Sequence, residues 1–203
     1  MKTSHLEPDT GNVLRKLYAI KVGDVETTMA DKIFLLDRSG SMESCWDDTI
    51  GGFNSFVSEQ KQFGGKLTLV QFDHEIMESF SDTPINDVKP LTRVTFTPRG
   101  STALLDAIGK TIKKYENASN ITCIILTDGY ENASRTYTKP HIKDLISQKT
   151  KDGWTFMYLG ANQDAFAEAN SLGINAPGCA MSYESSNTPE VFRALSATLS
   201  QQN

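Results

Sequence analysis

Along this chain, two hydrophobic periods alternate, and nothing else in the sequence restricts the fold as strongly. Short apolar runs ending in polar loops occupy residues 33–36, 66–72, 121–127 and 154–159. Short, mostly apolar runs of this length read as strands buried on both faces. Between and after them, apolar residues recur at helical spacing over 50–62, 103–115, 138–150, 164–172 and 189–199. Phe53, Phe56 and Phe63 at that spacing are expected in the core. Strands alternating with helices form βαβ units, which demand a parallel sheet, right-handed crossovers and helices on both faces. The stretch 77–96 lacks helical spacing and contains Pro84 and Pro90, which suits an antiparallel edge strand and a return to the core. The expected fold class is therefore α/β, a doubly wound, mostly parallel central sheet with one antiparallel edge strand and helices on both faces. With 203 residues, 38% of them hydrophobic, the chain can bury one substantial core. No repeat, low-complexity tract or long linker divides it. Before Met29, residues 17–22 suggest an added strand or hairpin at the sheet edge.

Charge and cysteine content exclude several function classes. A formal net charge of -5, with no run of Lys and Arg, gives no general attraction to nucleic acid or to an anionic membrane surface. Cys45, Cys123 and Cys179 are odd in number and widely spaced, so neither a disulfide framework nor a thiolate zinc site is indicated. The first residues carry charges where a signal peptide needs an apolar stretch, and no apolar run reaches membrane-spanning length. A cytoplasmic location is expected. His5, His74 and His141 follow no zinc spacing.

In an open α/β sheet, ligands bind outside the carboxyl ends of the strands. Three loops there are unusual. Asp37, Ser39 and Ser41 follow the first apolar run within the segment DRSGSM; Thr102 lies in RGSTALLDA, which opens a helix; and Asp128 follows the run 121–127 in TDG. Two carboxylates and three hydroxyls, with no His or Cys adjacent, make an all-oxygen donor set for a hard cation. Mg²⁺ leads, because two acidic ligands leave positions to water as Mg²⁺ usually requires, with Mn²⁺ and Ca²⁺ as alternatives. Taken alone, DRSGSM is also an ordinary turn and cap sequence, but three such loops in this order are hard to attribute to chance.

Asp37-x-Ser39-x-Ser41, then Thr102, then Asp128, resembles the metal-ion-dependent adhesion site of von Willebrand factor A domains and integrin inserted domains. The likeness extends to GSTALLDAI and ILTDG and spans roughly residues 31 to 200. It is closest in style to small intracellular bacterial or phage-encoded members, notably in TDGYENAS and YLGANQDA. The resemblance implies residues 1–29 as an N-terminal extension and 30–203 as one von Willebrand factor A domain. It also implies carboxylates from Asp37 and Asp128, partly through water, hydroxyls from Ser39, Ser41 and Thr102, and a sixth position filled by an Asp or Glu of a partner protein. Fold alone does not give the biological process.

Around these loops, Asp106 lies one helical turn beyond Thr102 and either orients ligands or is a solvated helix residue. Arg99 and Arg38 flank the ligand loops, as contacts for an incoming carboxylate or as plain surface charges. Tyr130, Glu131 and Asn132 form a rim or a solvated loop, and Asp73-His74-Glu75 falls near the same face. The chain is expected to be a metal-dependent protein-binding module rather than an enzyme. An aspartate phosphatase needs a second carboxylate two residues after Asp37, where Ser39 stands. Self-association, or service as a structural subunit of a larger ATPase-linked, phage or defence assembly, is the alternative.

Overall fold

The computed structural model describes residues 30–161, 164–184 and 187–200. The expected strand or hairpin at 17–22 and the extension 1–29 lie outside the described residues. Five strands run parallel: β1 Asp31–Asp37, β2 Lys66–Phe72, β4 Ile121–Thr127, β5 Thr155–Ala161 and β6 Ala180–Tyr183. The antiparallel β3, Ile76–Pro84, closes one edge, and the spatial order is β3-β2-β1-β4-β5-β6. The helices are α1 Trp46–Gln60, α2 Leu104–Lys114, α3 Lys139–Lys151, α4 Ala165–Ser171 and α5 Thr188–Ser200.

Each central strand is buried on both faces, which is why its run is mostly apolar, and the polar Gln71 inside β2 is accommodated by donating to Ser79 Oγ at 2.8 Å and Thr95 O at 2.9 Å. In β1, Ile33 and Leu35 face a core shared with Ile108 and Ile112 of α2 and Ile142 and Ile146 of α3. Phe34 and Leu36 face the opposite core, with Phe53 and Phe56 of α1 and Phe192 and Leu195 of α5. By contrast β3 alternates between partly buried and exposed residues, as a sheet edge bordered by solvent should.

Three differences from the sequence-based expectation have local causes. A 3-10 turn, Gly40–Cys45, precedes α1, which begins at Trp46; the polar first turn WDDT hides that start from any apolar pattern. Phe63 lies beyond the end of α1 and is only partly buried, unlike the fully buried Phe53 and Phe56. The strand β6 has four residues, AMSY, none fully buried, so no hydrophobic run announces it.

The edge strand takes only the first part of 77–96. The remainder climbs back along α1, where the Asn54 amide donates to the Leu91 carbonyl at 3.0 Å and accepts from the Leu91 N–H at 2.7 Å. The Trp46 indole N–H then donates to the Phe96 carbonyl at 2.7 Å. These bonds deliver residues 99–102 to the carboxyl end of β1, where Arg99 N donates to Arg38 O at 2.8 Å and Gly40 N to Gly100 O at 3.1 Å.

Candidate metal centre

Strand order reverses at β1, which has β2 on one side and β4 on the other. The crevice where such a sheet binds ligands therefore opens above β1 and β4. Asp37 is the last residue of β1, and Asp128 immediately follows β4. Their carboxylates are joined by hydroxyls. Ser41 Oγ donates to Asp128 Oδ1 at 2.6 Å and lies 3.1 Å from Ser39 Oγ. The Ser39 N–H donates to Asp37 Oδ1 at 2.6 Å, and Thr127 Oγ1 donates to Asp37 Oδ2 at 2.5 Å. Thr102 enters from the loop before α2: a methyl built on Gly129 would sit 2.9 Å from Thr102 Oγ1, 3.5 Å from Ser41 Oγ and 3.7 Å from Ser39 Oγ. Three hydroxyls thus surround one point beside Gly129, and a side chain there would invade the cluster.

Burial pushes the Asp37 carboxyl up to about 6 despite the hydrogen bonds from Thr127 and Ser39, and the nearby Asp128 adds to the rise. Burial also raises Asp128, against the hydroxyl of Ser41. Among the described residues no Lys or Arg forms an ion pair with either. Two partly desolvated carboxylates lacking a protein cation, beside three converging hydroxyls, fit a hard divalent ion.

The flanking residues are committed elsewhere. Asp73, wholly buried just past β2, has Arg38 Nε and Arg99 Nε both 2.9 Å from its Oδ2. The Arg38 contact lacks hydrogen-bonding geometry and is Coulombic, whereas Arg99 Nε donates properly and its second nitrogen reaches Glu75 Oε2 at 2.5 Å. Arg38 is itself buried, at 8% exposure, so it is neither a surface charge nor free to receive a carboxylate. Asp73 Oδ1 accepts the Glu75 N–H at 2.6 Å and lies 3.3 Å from His74 Nδ1. Asp73, His74 and Glu75 bring ligand atoms within 4.8 Å of one another, but two guanidiniums already meet Asp73, which makes this an ion-pair network.

Asp106 is buried, and its carboxylate accepts the backbone N–H groups of Arg135, Thr136 and Tyr137 at 3.1, 2.9 and 2.9 Å. Burial alone would raise this carboxyl, but the three donors outweigh it and hold the group below its usual range. The solvated alternative for Asp106 does not hold; it organises the loop after β4, one step removed from the five converging side chains. Asn132, which is exposed, and Glu131, which is half-buried, also hold backbone. Asn132 Oδ1 accepts the Thr102 N–H at 2.8 Å while Asn132 N donates to Thr102 O at 3.0 Å. Glu131 accepts from Leu105 N, Ala133 N and Ser134 N. Tyr130 remains exposed. Sequence spacing placed these residues near the face but could not reveal which backbone groups they hold.

The fold is that of a von Willebrand factor A domain, the class to which many solved structures similar to this chain belong. No family model matches the sequence, and no curated protein matches it. The chain is similar to the vWF domain of the type V pili tip protein Mfa5 from Porphyromonas gingivalis, at 13% identity and a TM-score of 0.64, covering 87% of this chain and 97% of that one. Proximal thread matrix protein 1 from the mussel byssus gives 18% identity and a TM-score of 0.61 over 85% of this chain, which spans only 47% of the mussel protein. The latter has also been solved with zinc in its MIDAS motif. Manganese-loaded TRAP protein of Plasmodium vivax is 15% identical, with a TM-score of 0.57 over 81% of this chain and 72% of that one. Among the described residues, no helix is long and apolar enough to cross a membrane.

Proposed function

We propose that this chain is a metal-dependent protein-binding module. Asp37, Ser39, Ser41, Thr102 and Asp128 hold Mg²⁺, and an Asp or Glu of a partner protein completes its coordination. The observation that carries this is the meeting of Ser39, Ser41 and Thr102 hydroxyls beside Gly129, between two carboxylates that burial holds above their usual range. A divalent ion supplies the missing positive charge and an electrophilic site for an incoming carboxylate in a partly desolvated crevice. The zinc- and manganese-occupied structures of similar fold support a metal of this class. Three buried free thiols suit a reducing compartment, and we place the module in the cytoplasm.

Catalysis by Asp37 is the weaker reading. The position two residues on, where an aspartate nucleophile needs a second carboxylate as acid/base, holds Ser39, whose hydroxyl cannot take that role efficiently. Turnover of phosphomonoesters that vanishes in Asp37→Asn would overturn this. The direct test is calorimetric titration of EDTA-treated protein with Mg²⁺ and Mn²⁺. A single saturable site is expected, lost in Asp128→Ala; no saturable binding by the wild type, or undiminished binding by the variant, refutes the proposal.

A further inference from the structure

Asp73 belongs to no part of the donor set, yet it connects two of the loops that carry it. Arg38 sits between Asp37 and Ser39, and Arg99 precedes Thr102 by three residues. Both guanidiniums end on the same carboxylate oxygen, Asp73 Oδ2, at 2.9 Å. The backbone repeats the connection: Asp73 O accepts the N–H of Ala103 at 2.8 Å, and Arg38 N donates to Phe72 O at 2.8 Å. Asp73 therefore touches the residue after Thr102 through its carbonyl and both flanking arginines through its side chain. Its burial is complete, and a carboxylate in that position is tolerated because its charge is compensated by close cations and its oxygens are occupied.

We infer that Asp73 is a positioning residue that sets the spacing between the Asp37–Ser41 loop and Thr102, and thereby makes the site select a small cation over a larger one. This rests on the metal-binding role proposed above. Mg²⁺ requires near-ideal octahedral geometry at about 2.0–2.1 Å, whereas Ca²⁺ accepts six to eight oxygens at about 2.3–2.6 Å in flexible arrangements. A cradle whose two halves are tied to one buried carboxylate resists expansion. Releasing the tie lets the Thr102 loop drift outward, which harms the smaller ion more than the larger. Outer partners of metal ligands typically contribute about 10–100-fold to affinity, and here the contribution falls unequally on the two ions.

The experiment is calorimetric titration of EDTA-treated wild type, Asp73→Asn and Arg99→Gln with Mg²⁺ and, separately, with Ca²⁺, with thermal melts in EDTA. Arg99→Gln keeps Asp73 paired with Arg38 and changes a half-exposed side chain, so it remains informative should Asp73→Asn fail to fold. The expected result is a loss of Mg²⁺ affinity of about tenfold or more, with a smaller loss for Ca²⁺, so that the ratio of the two constants moves toward Ca²⁺ in each folded variant. A role confined to stability lowers the melting temperature and leaves that ratio unchanged in folded protein, which would overturn the inference. Wild type that binds neither ion would overturn it together with the proposed function; wild type that binds Mg²⁺ with an unaltered ratio in the variants overturns the inference alone.

Discussion

Thr102 is the residue on which the proposed grip depends most directly. Its hydroxyl lies in the cluster of three while its backbone is pinned on both sides, N–H to Asn132 Oδ1 and carbonyl from Asn132 N and Ala133 N. Removing the hydroxyl should leave that framework intact. Thr102→Ala is therefore expected to melt within a few degrees of wild type yet to lose most of its metal-dependent partner binding, as read by affinity capture with and without EDTA. Capture that persists unchanged in both conditions would place the interface elsewhere. Asp37 supplies a pH test. Its folded pKa of about 6 lies above the ordinary 3.8, so its contribution in metal-free protein is most favourable below the unfolded pKa and is lost as pH rises through 6. A rise of this size corresponds to about 3 kcal/mol. A divalent ion needs the ionised form, so the increase in melting temperature produced by Mg²⁺ should be larger at pH 7.5 than at pH 5. Equal increments at both values would show that Asp37 is already ionised at pH 5 in the metal-free protein or is not a ligand.

Between elements, α1 and α5 approach each other closely at Gly52. A methyl on Gly52 would lie 2.2 Å from Phe192 Cδ2, and Phe192 is held by stacking on Phe34 with ring centroids 6.0 Å apart. The glycine is thus required for helix contact, since its own φ is unremarkable and alanine would favour the helix by about 1 kcal/mol. Overpacking of this kind costs about 1–3 kcal/mol, so Gly52→Ala should be net destabilising in urea denaturation. Replacing the ring by a smaller aliphatic side chain, Phe192→Leu, in the same chain should recover part of the loss; a stabilised Gly52→Ala would mean the helices can separate freely. The loops obey a different logic. Asp106 accepts three backbone N–H groups across the α2–loop boundary, and Glu131 accepts one across it, from Leu105, and two from its own loop, so side chains do much of the holding in the segment after β4, which has no ladder of its own.

At the scale of the whole molecule, stability resides in the two cores on either side of the sheet, away from the ligand loops. Ile124, central in β4 and wholly buried among Phe34, Leu126 and Met157, should cost about 2–5 kcal/mol when cut to alanine. Denaturant unfolding is expected to show that loss in Ile124→Ala, while Mg²⁺ affinity of the folded fraction stays near wild type. A collapse in affinity at native conditions would instead tie core packing to the site.

The alternation of apolar runs with helical spacing was enough to specify the sheet class and, among the described residues, four of the parallel strands and the α-helices, though neither of the 3-10 turns, because burial on both faces leaves a mostly apolar mark in a short window. The five converging side chains were legible for a related reason: Asp37 ends β1 with Ser39 and Ser41 within four residues of it, Asp128 follows β4 and Thr102 shortly precedes α2, so their place at the carboxyl end follows from local position. The short β6 left no such mark. Nor did the partners of Arg38, Arg99, Asp106 and Asn132, all of which lie 24 or more residues away from their groups or across a loop boundary. Which loops abut is decided only when β1 is seated between β2 and β4, and that seating turned apparent surface charges into buried ties. Donor chemistry is a property of residues and is written in the sequence; the pairing of charges is a property of distance, and distance exists only in the folded chain.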